Sequence, residues 1–136
     1  MILTFKNNKD INIEKLERLY NDVQWCAYTQ DLQLLYQAIS NSLDIISAWN
    51  GEELIGIIRT VGDGLTIIYI QDLLVLNEYQ NQGVGTQLMQ QVLNKYKTVR
   101  QKVLITEEAS DVRHFYEKNG FLSCDNGNLV AFALLS

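Results

Sequence analysis

Apolar positions along the chain recur in two periods, and the switches between them outline the elements. Ile2, Leu3 and Phe5 predict a short first strand. Ile13, Leu16, Leu19, Tyr20 and Val23 then return at helical spacing, with Asn12 placed to cap the helix start. Leu34, Leu35, Ala38 and Ile39 repeat that period in a second helix, with Thr29 or Asp31 near its start. The connector between the two, Gln24-Trp25-Cys26-Ala27-Tyr28-Thr29, is rich in aromatics. Ile45–Trp49 and Leu54–Val61 read as strands joined through Asn50-Gly51, a hairpin signal. Gly62-Asp63-Gly64 turns the chain into Leu65–Leu76, whose nearly continuous apolar run predicts a central strand covered on both faces.

Beyond a glycine segment at Gly83 and Gly85, the residues Val84, Leu88, Met89, Val92, Leu93 and Tyr96 mark an amphipathic helix. Lys102–Thr106 reads as a strand. Val112, Phe115 and Tyr116 share one face of a further helix, ended by Asn119-Gly120. Phe121–Cys124 and Leu129–Leu135 are expected to close the chain as two strands about the turn Asp125–Asn128. The order β-α-α-β-β-β-α-β-α-β-β predicts an α/β (α+β) domain, with a mixed, mostly antiparallel central sheet and about four helices. A strand, glycine loop and helix at its middle predict a ligand site there.

Length and charge narrow the function. The 136 residues are expected to form one domain, 1–136, with no proline, repeat or linker to divide it. Sixteen acids against eleven bases give −5, which argues against a nucleic-acid surface built on clustered Lys and Arg. No apolar run reaches the ~18 residues of a membrane span, and the N-terminus has no signal-peptide core. Two distant cysteines, Cys26 and Cys124, and a single histidine, His114, offer no metal-ligand spacing. Both thiols are expected to be reduced, in or near the core of a cytoplasmic protein. No metal is expected.

The informative stretch runs from Leu73 to Leu88. Glycines at 83 and 85 remove side chains that would keep an anion from the backbone, and the first free amides of the helix point outward where its dipole favours negative charge. Phosphate or pyrophosphate suits such a loop; close helix–sheet packing accounts for two glycines equally well. A dinucleotide fingerprint fails at Leu88, and no P-loop run exists.

The pattern Gln80-x-x-Gly83-x-Gly85 after Leu73-Leu74-Val75, followed about thirty residues later by Phe115-Tyr116-Glu117-Lys118-Asn119-Gly120-Phe121, resembles the GCN5-related N-acetyltransferase (GNAT) superfamily. The resemblance covers essentially the whole chain. It implies transfer of an acetyl group from acetyl-CoA to a primary amine by direct attack in a ternary complex. Its cofactor side falls on the backbone of Leu73, Leu74 and Val75 at a strand splay, on Gln80, and on the amides of Gln82, Gly83, Val84, Gly85 and Thr86. Tyr116 stands where the family places the tyrosine that protonates the leaving thiolate. The residues allow this: a tyrosine hydroxyl can protonate a thiolate of pKa ~8.5. A core aromatic whose hydroxyl finds a partner is the other role open to Tyr116.

A substrate ammonium of pKa ~10 must also lose a proton. Asp72 is the one acid in the apolar strand, where burial pushes a carboxyl upward toward a useful range; hydrogen bonding to backbone at the splay is its alternative role. Tyr69 and Gln71 occupy positions where family members carry an acid or histidine base, so a water-mediated base or a free-amine substrate stays open. Ala109 replaces an asparagine common seven residues before the tyrosine.

Trp25 and Tyr28, with Tyr20 and Tyr36 nearby, offer aromatic walls to a flat or cationic amine; Trp25 equally suits a plug of the helices onto the sheet. The string around Trp25, Asp63-Gly64 and the Asp72 strand are similar to plant-type arylalkylamine acetyltransferases, which implies a small amine. Glu107 and Glu108 suit either an attracted cation or a solvated face. A protein or peptide amine, or a non-catalytic acyl-CoA-binding module, are the competing readings. Leu129–Leu135 as an apolar edge, with the family's habit of pairing, implies a homodimer.

Overall fold

The computed structural model describes residues 1–136, and their backbone contacts group into two units, Met1–Ile105 and Thr106–Ser136.

The first unit is a five-stranded sheet in the order β1-β2-β3-β4-β5, with β1 Leu3–Lys6, β2 Asp44–Asn50, β3 Glu53–Gly62, β4 Ile67–Val75 and β5 Gln101–Val103. The first three pairings are antiparallel and β4–β5 is parallel, which makes the mixed, mostly antiparallel sheet expected from the sequence. Helices α1 (Ile13–Asp22), α2 (Cys26–Thr29) and α3 (Leu32–Ser40) lie between β1 and β2, and α4 (Val84–Lys95) between β4 and β5. Local chemistry sets the starts. Asn12 accepts from the amides of Glu14 and Lys15, and Asp31 accepts from that of Leu34. The aromatic connector forms the short α2.

The strands covered on both faces are β2 and β3: Asp44 to Trp49 and Leu54 to Thr60 are each buried without a break. This corrects the expectation placed on Leu65–Leu76. There the strand begins only at Ile67, its side chains alternate in burial, and Leu65 is 80% exposed. β3 sits mid-sheet between α1 on one face and α4 on the other, whereas β4 is next to the edge. Gly56 lets α4 approach: a Cβ there would stand 3.1 Å from the Leu74 carbonyl oxygen and 3.2 Å from Leu88 Cδ1.

β4 carries a bulge. Arg59 pairs with Asp72 but Thr60 pairs with Ile70, so Gln71 is the extra residue. On its other edge β4 pairs β5 only from Ile67 to Tyr69. From Ile70 to Val75 that edge has no strand beside it, which is the splay expected before the glycine loop.

In the second unit, α5 (Ser110–Lys118) ends in a glycine cap. Gly120 has φ +94°, its amide donates to the Glu117 carbonyl, and the Phe121 amide donates to the Tyr116 carbonyl. The two strands expected at Phe121–Cys124 and Leu129–Leu135 do not form. Cys124–Asn126 is a 3-10 turn, and the tail beyond it is exposed throughout. Strand composition alone does not make a strand, which exists only against a neighbour's backbone. Cys26 and Cys124 are both exposed, which corrects their expected place in or near the core.

Candidate functional site

In the first unit, β4, the loop after it and the start of α4 bring most of the sequence-predicted residues together. The turn from β4 is built by Asn77 and Gln80. Asn77 ties to α1, its amide donating to Asp22 Oδ2 (2.7 Å) and its Nδ2 to the Asp22 carbonyl (2.7 Å). Gln80 Nε2 donates to the Val75 carbonyl (3.0 Å) and to Asn77 Oδ1 (3.2 Å), so its side chain closes the end of the strand.

The loop then reaches Asn81 at φ +63° and Gly83 at φ +83°, the left-handed region that glycine tolerates best. Gly83 is needed for this turn rather than for space, since a Cβ would meet only Gln87 Nε2 at 4.0 Å. Gln82 and Gly83 are exposed, Gly85 and Thr86 half-buried, and Val84 is buried as the anchor of the helix start. Unlike α1 and α3, α4 has no side-chain cap. Its first amides therefore remain unsatisfied beside the open edge at Leu73–Val75, with the positive end of the helix dipole behind them. An anionic, extended ligand fits this combination.

One turn back along β4 lies a buried polar cluster. Asp72 is 1% exposed and Arg59 6%. Arg59 Nε donates to Asp72 Oδ2 at 2.7 Å, Tyr20 donates to the same oxygen at 2.8 Å, and Tyr28 donates to Oδ1 at 3.1 Å. Arg59 also reaches Ser42 Oγ (3.3 Å). Burial and the Asp72 carboxylate hold the Tyr20 hydroxyl far above the usual tyrosine range. Burial opposes the charge on Arg59, but Asp72 outweighs it and the guanidinium stays charged. The two roles weighed for Asp72 did not include this arginine, which pairs with its carboxylate and takes the place of a backbone donor.

That cluster orders the residues above it. Tyr28 gives its proton to Asp72, so its oxygen accepts from Gln71 Nε2 (3.2 Å), and the Gln71 carbonyl oxygen faces away from Tyr28. The bulge sends both Gln71 and Asp72 to this phenol. Trp25 stacks on Tyr28 with ring centroids 6.2 Å apart, and Tyr20 meets Tyr28 edge-on at 5.1 Å. Trp25 remains 38% exposed, so it walls an open surface instead of plugging one; Tyr36 is 41% exposed and Tyr69 half-buried. Arg59 was missed in the sequence, although a lone charge inside the apolar run Leu54–Val61 was its signal.

The second unit holds Tyr116. Its ring meets Phe115 at 5.1 Å and Phe121 at 5.9 Å, both edge-on, and burial raises its hydroxyl above the usual tyrosine range. Glu108 is not a free anion: Arg113 grips it through two bonds of 2.6 and 2.8 Å. His114 is exposed.

A family model for the acetyltransferase (GNAT) domain matches residues 10–131. An uncharacterized ycf52-like N-acetyltransferase of Prochlorococcus marinus is 29% identical over 134 residues, spanning 94% of this chain and 72% of that protein. Among solved structures, a GNAT-family acetyltransferase from Streptococcus pneumoniae superposes with a TM-score of 0.88 at 34% identity, over 99% of this chain and 98% of that one. The PaiA N-acetyltransferase of Thermoplasma acidophilum, solved in complex with coenzyme A, shares the fold at 19% identity and a TM-score of 0.69, over 88% of this chain and 90% of that one.

Proposed function

The chain belongs to the GNAT family and is an acyl-CoA-dependent acetyltransferase, and from that premise we propose that it acetylates a primary amine of a small molecule, with acetyl-CoA as donor, by direct attack in a ternary complex. The observation that carries the reading is the meeting of two open backbone surfaces: the β4 edge at Leu73–Val75, which has no strand beside it and on which Gln80 takes the Val75 carbonyl, and the uncapped start of α4. In the proposal the amides of Gln82 to Thr86 hold a pyrophosphate, and the edge takes up an extended amide-bearing arm. Gln80 acts one step back, holding the strand end and the loop together. When bound, the thioester supplies an activated acetyl carbon.

The acceptor side of the proposal is Trp25, Tyr28, Gln71 and Tyr69. The outward carbonyl of Gln71 accepts an N–H of the amine, while the stacked rings cover its apolar part and favour a cationic form on approach. Gln71 is exposed, so the ammonium proton leaves to water there. Asp72 enters as a positioning residue that fixes Tyr28 and through it Gln71. On the family resemblance, as the amine nitrogen bonds to the acetyl carbon and the carbon–sulfur bond breaks, Tyr116 gives its proton to the thiolate, and the second proton shed by the nitrogen passes to water, from which Tyr116 is reprotonated. The reading includes a cytoplasmic setting and a homodimer; no helix is long and apolar enough to cross a membrane.

Calorimetric titration of acetyl-CoA, followed by thiol release across a panel of small amines and lysine peptides, tests it. Binding with release from a small amine is expected. Release only with peptides would overturn the small-molecule reading, and absence of binding would overturn the cofactor reading.

A further inference from the structure

The last four carbonyls of α1 find their partners in two different places. The Val23, Trp25 and Gln24 amides donate back to the Leu19 (3.3 Å), Tyr20 (2.9 Å) and Asn21 (2.9 Å) carbonyls, a reversal that folds the aromatic connector against its helix. The fourth carbonyl, of Asp22, accepts from Asn77 Nδ2 in the turn after β4, and Asp22 Oδ2 accepts from the Asn77 amide. The end of α1 and the start of that turn therefore cap each other.

The hinge of the reversal is an unusual residue. Gln24 has φ +65°, the left-handed region where a helix end of this kind ordinarily places glycine. Its side chain is exposed, so no buried contact accounts for the conformation, and a strained residue persists only where its surroundings hold it. Trp25 follows directly and Tyr28 three residues later, so the stacked rings of the acceptor wall hang from Gln24. The far end of the wall is tied separately, Thr29 Oγ1 donating to Asn21 Oδ1 at 2.6 Å.

Asn77 also faces the other way. Its Oδ1 accepts from Gln80 Nε2 (3.2 Å), the same nitrogen that donates to the Val75 carbonyl at the end of β4. One side chain thus joins the connector that carries Trp25 and Tyr28 to the turn that opens the glycine loop.

We propose that Asn77 is a positioning residue with two ends: its clasp on Asp22 holds Gln24 in the left-handed region and so sets Trp25 and Tyr28 against Gln71, and its Oδ1 sets Gln80 at the glycine loop. The proposal rests on the acceptor and cofactor sides assigned above, but its test reads the free protein first, so its failure is distinct from a failure of acetyl transfer.

Hydrogen exchange followed by NMR tests the connector. Asn77→Ala is expected to speed exchange of the Trp25 amide about tenfold, the worth of one hydrogen bond, with the amides of β3 unchanged. Adding Gln24→Gly is expected to restore the Trp25 protection, because glycine has no strain to release when the clasp is gone. Unchanged Trp25 exchange in Asn77→Ala, equal speeding in β3, or no recovery with Gln24→Gly would each overturn the clasp. Coenzyme A then separates the two ends in calorimetry. Its dissociation constant is expected to rise about three- to tenfold in Asn77→Ala and to stay raised with Gln24→Gly, since the Gln80 contact remains lost. Recovery of coenzyme A affinity together with Trp25 protection would overturn the two-ended role. A parent that bound no coenzyme A would overturn the cofactor reading, while the exchange result still decided the connector.

Discussion

Arg59 and Asp72 face each other across β3 and β4 with Nε 2.7 Å from Oδ2, and both side chains are almost wholly withdrawn from water. Such a pair contributes little net stability, but breaking it strands a charge. Arg59→Met is expected to cost about 3–5 kcal/mol in urea unfolding, because Asp72 keeps only its two tyrosine donors. The double variant Arg59→Met with Asp72→Leu is expected to recover much of that loss. Equal losses in the single and double variants would show that the pair is not the cause.

In the proposed function the same carboxylate governs the acceptor side at one remove. Gln71→Leu removes the outward carbonyl without touching Asp72. The KM for the amine is expected to rise about three- to tenfold, the worth of one hydrogen bond, while the KM for acetyl-CoA stays unchanged. Tyr28→Phe is expected to move the same constant in the same direction, since it frees Gln71 to turn. Parallel changes in both KM values would point to a general disturbance of β4.

What the sequence made legible was local. Asn12 and Asp31 were readable as caps because a cap is decided within four residues, and the Gly62–Gly64 turn because Asp63 can reach the next amides alone. The glycine loop was readable because two glycines before an amphipathic helix have few uses, and the GNAT resemblance held for the family and the mixed sheet. The Arg59–Asp72 pair was not readable, since it depends on the register of two strands and on a bulge at Gln71. The closing strands failed for a related reason: Leu129–Leu135 has strand composition, but strand formation belongs to a pair and not to a segment. Cys26 shows the opposite error, an apolar-seeming residue left outside by the geometry of a short helix.

Gly83 holds the loop at φ +83°, where a Cβ is strained by about 1–2 kcal/mol whatever the space around it. Relaxing that strain turns the first amides of α4 away from a common point. Gly83→Ala is expected to raise the acetyl-CoA dissociation constant by about tenfold in calorimetry. Gly83→Asn is expected to fall between, because asparagine tolerates this region better. Identical binding by all three would remove the loop from the cofactor reading.

Asp63 offers a pH test of the turn that launches β4. Its Oδ1 accepts from the amides of Leu65 (2.8 Å), Thr66 (2.8 Å) and Ile67 (3.1 Å), and Oδ2 accepts from the Thr66 hydroxyl (2.7 Å). The Thr66 amide first, then the others, hold the carboxyl well below the usual carboxylate range. A depressed folded value stabilises fully above the unfolded pKa of ~3.9 and is lost as pH falls toward the folded one. Asp63→Asn is therefore expected to lower Tm at pH 7, with the gap to the parent narrowing only below about pH 4. A gap of constant size from pH 7 to pH 3 would contradict this.

Tyr116 carries the acid role in the proposed chemistry, and its environment suits it to hold a proton. Burial raises its hydroxyl above the ordinary value of ~10, so it stays protonated through neutral and mildly alkaline pH. Its ring is set by Phe115 and Phe121, and the backbone behind it by the Gly120 cap, so Tyr116→Phe removes one oxygen and keeps the packing. The expected outcome is a fall in kcat of about 10²-fold or more, with acetyl-CoA affinity and Tm unchanged. Any loss of rate caused by deprotonating this acid is expected only above about pH 10, and only in the parent. Turnover by Tyr116→Phe at the parent's rate would take the residue out of the reaction and leave its hydroxyl a structural feature of α5.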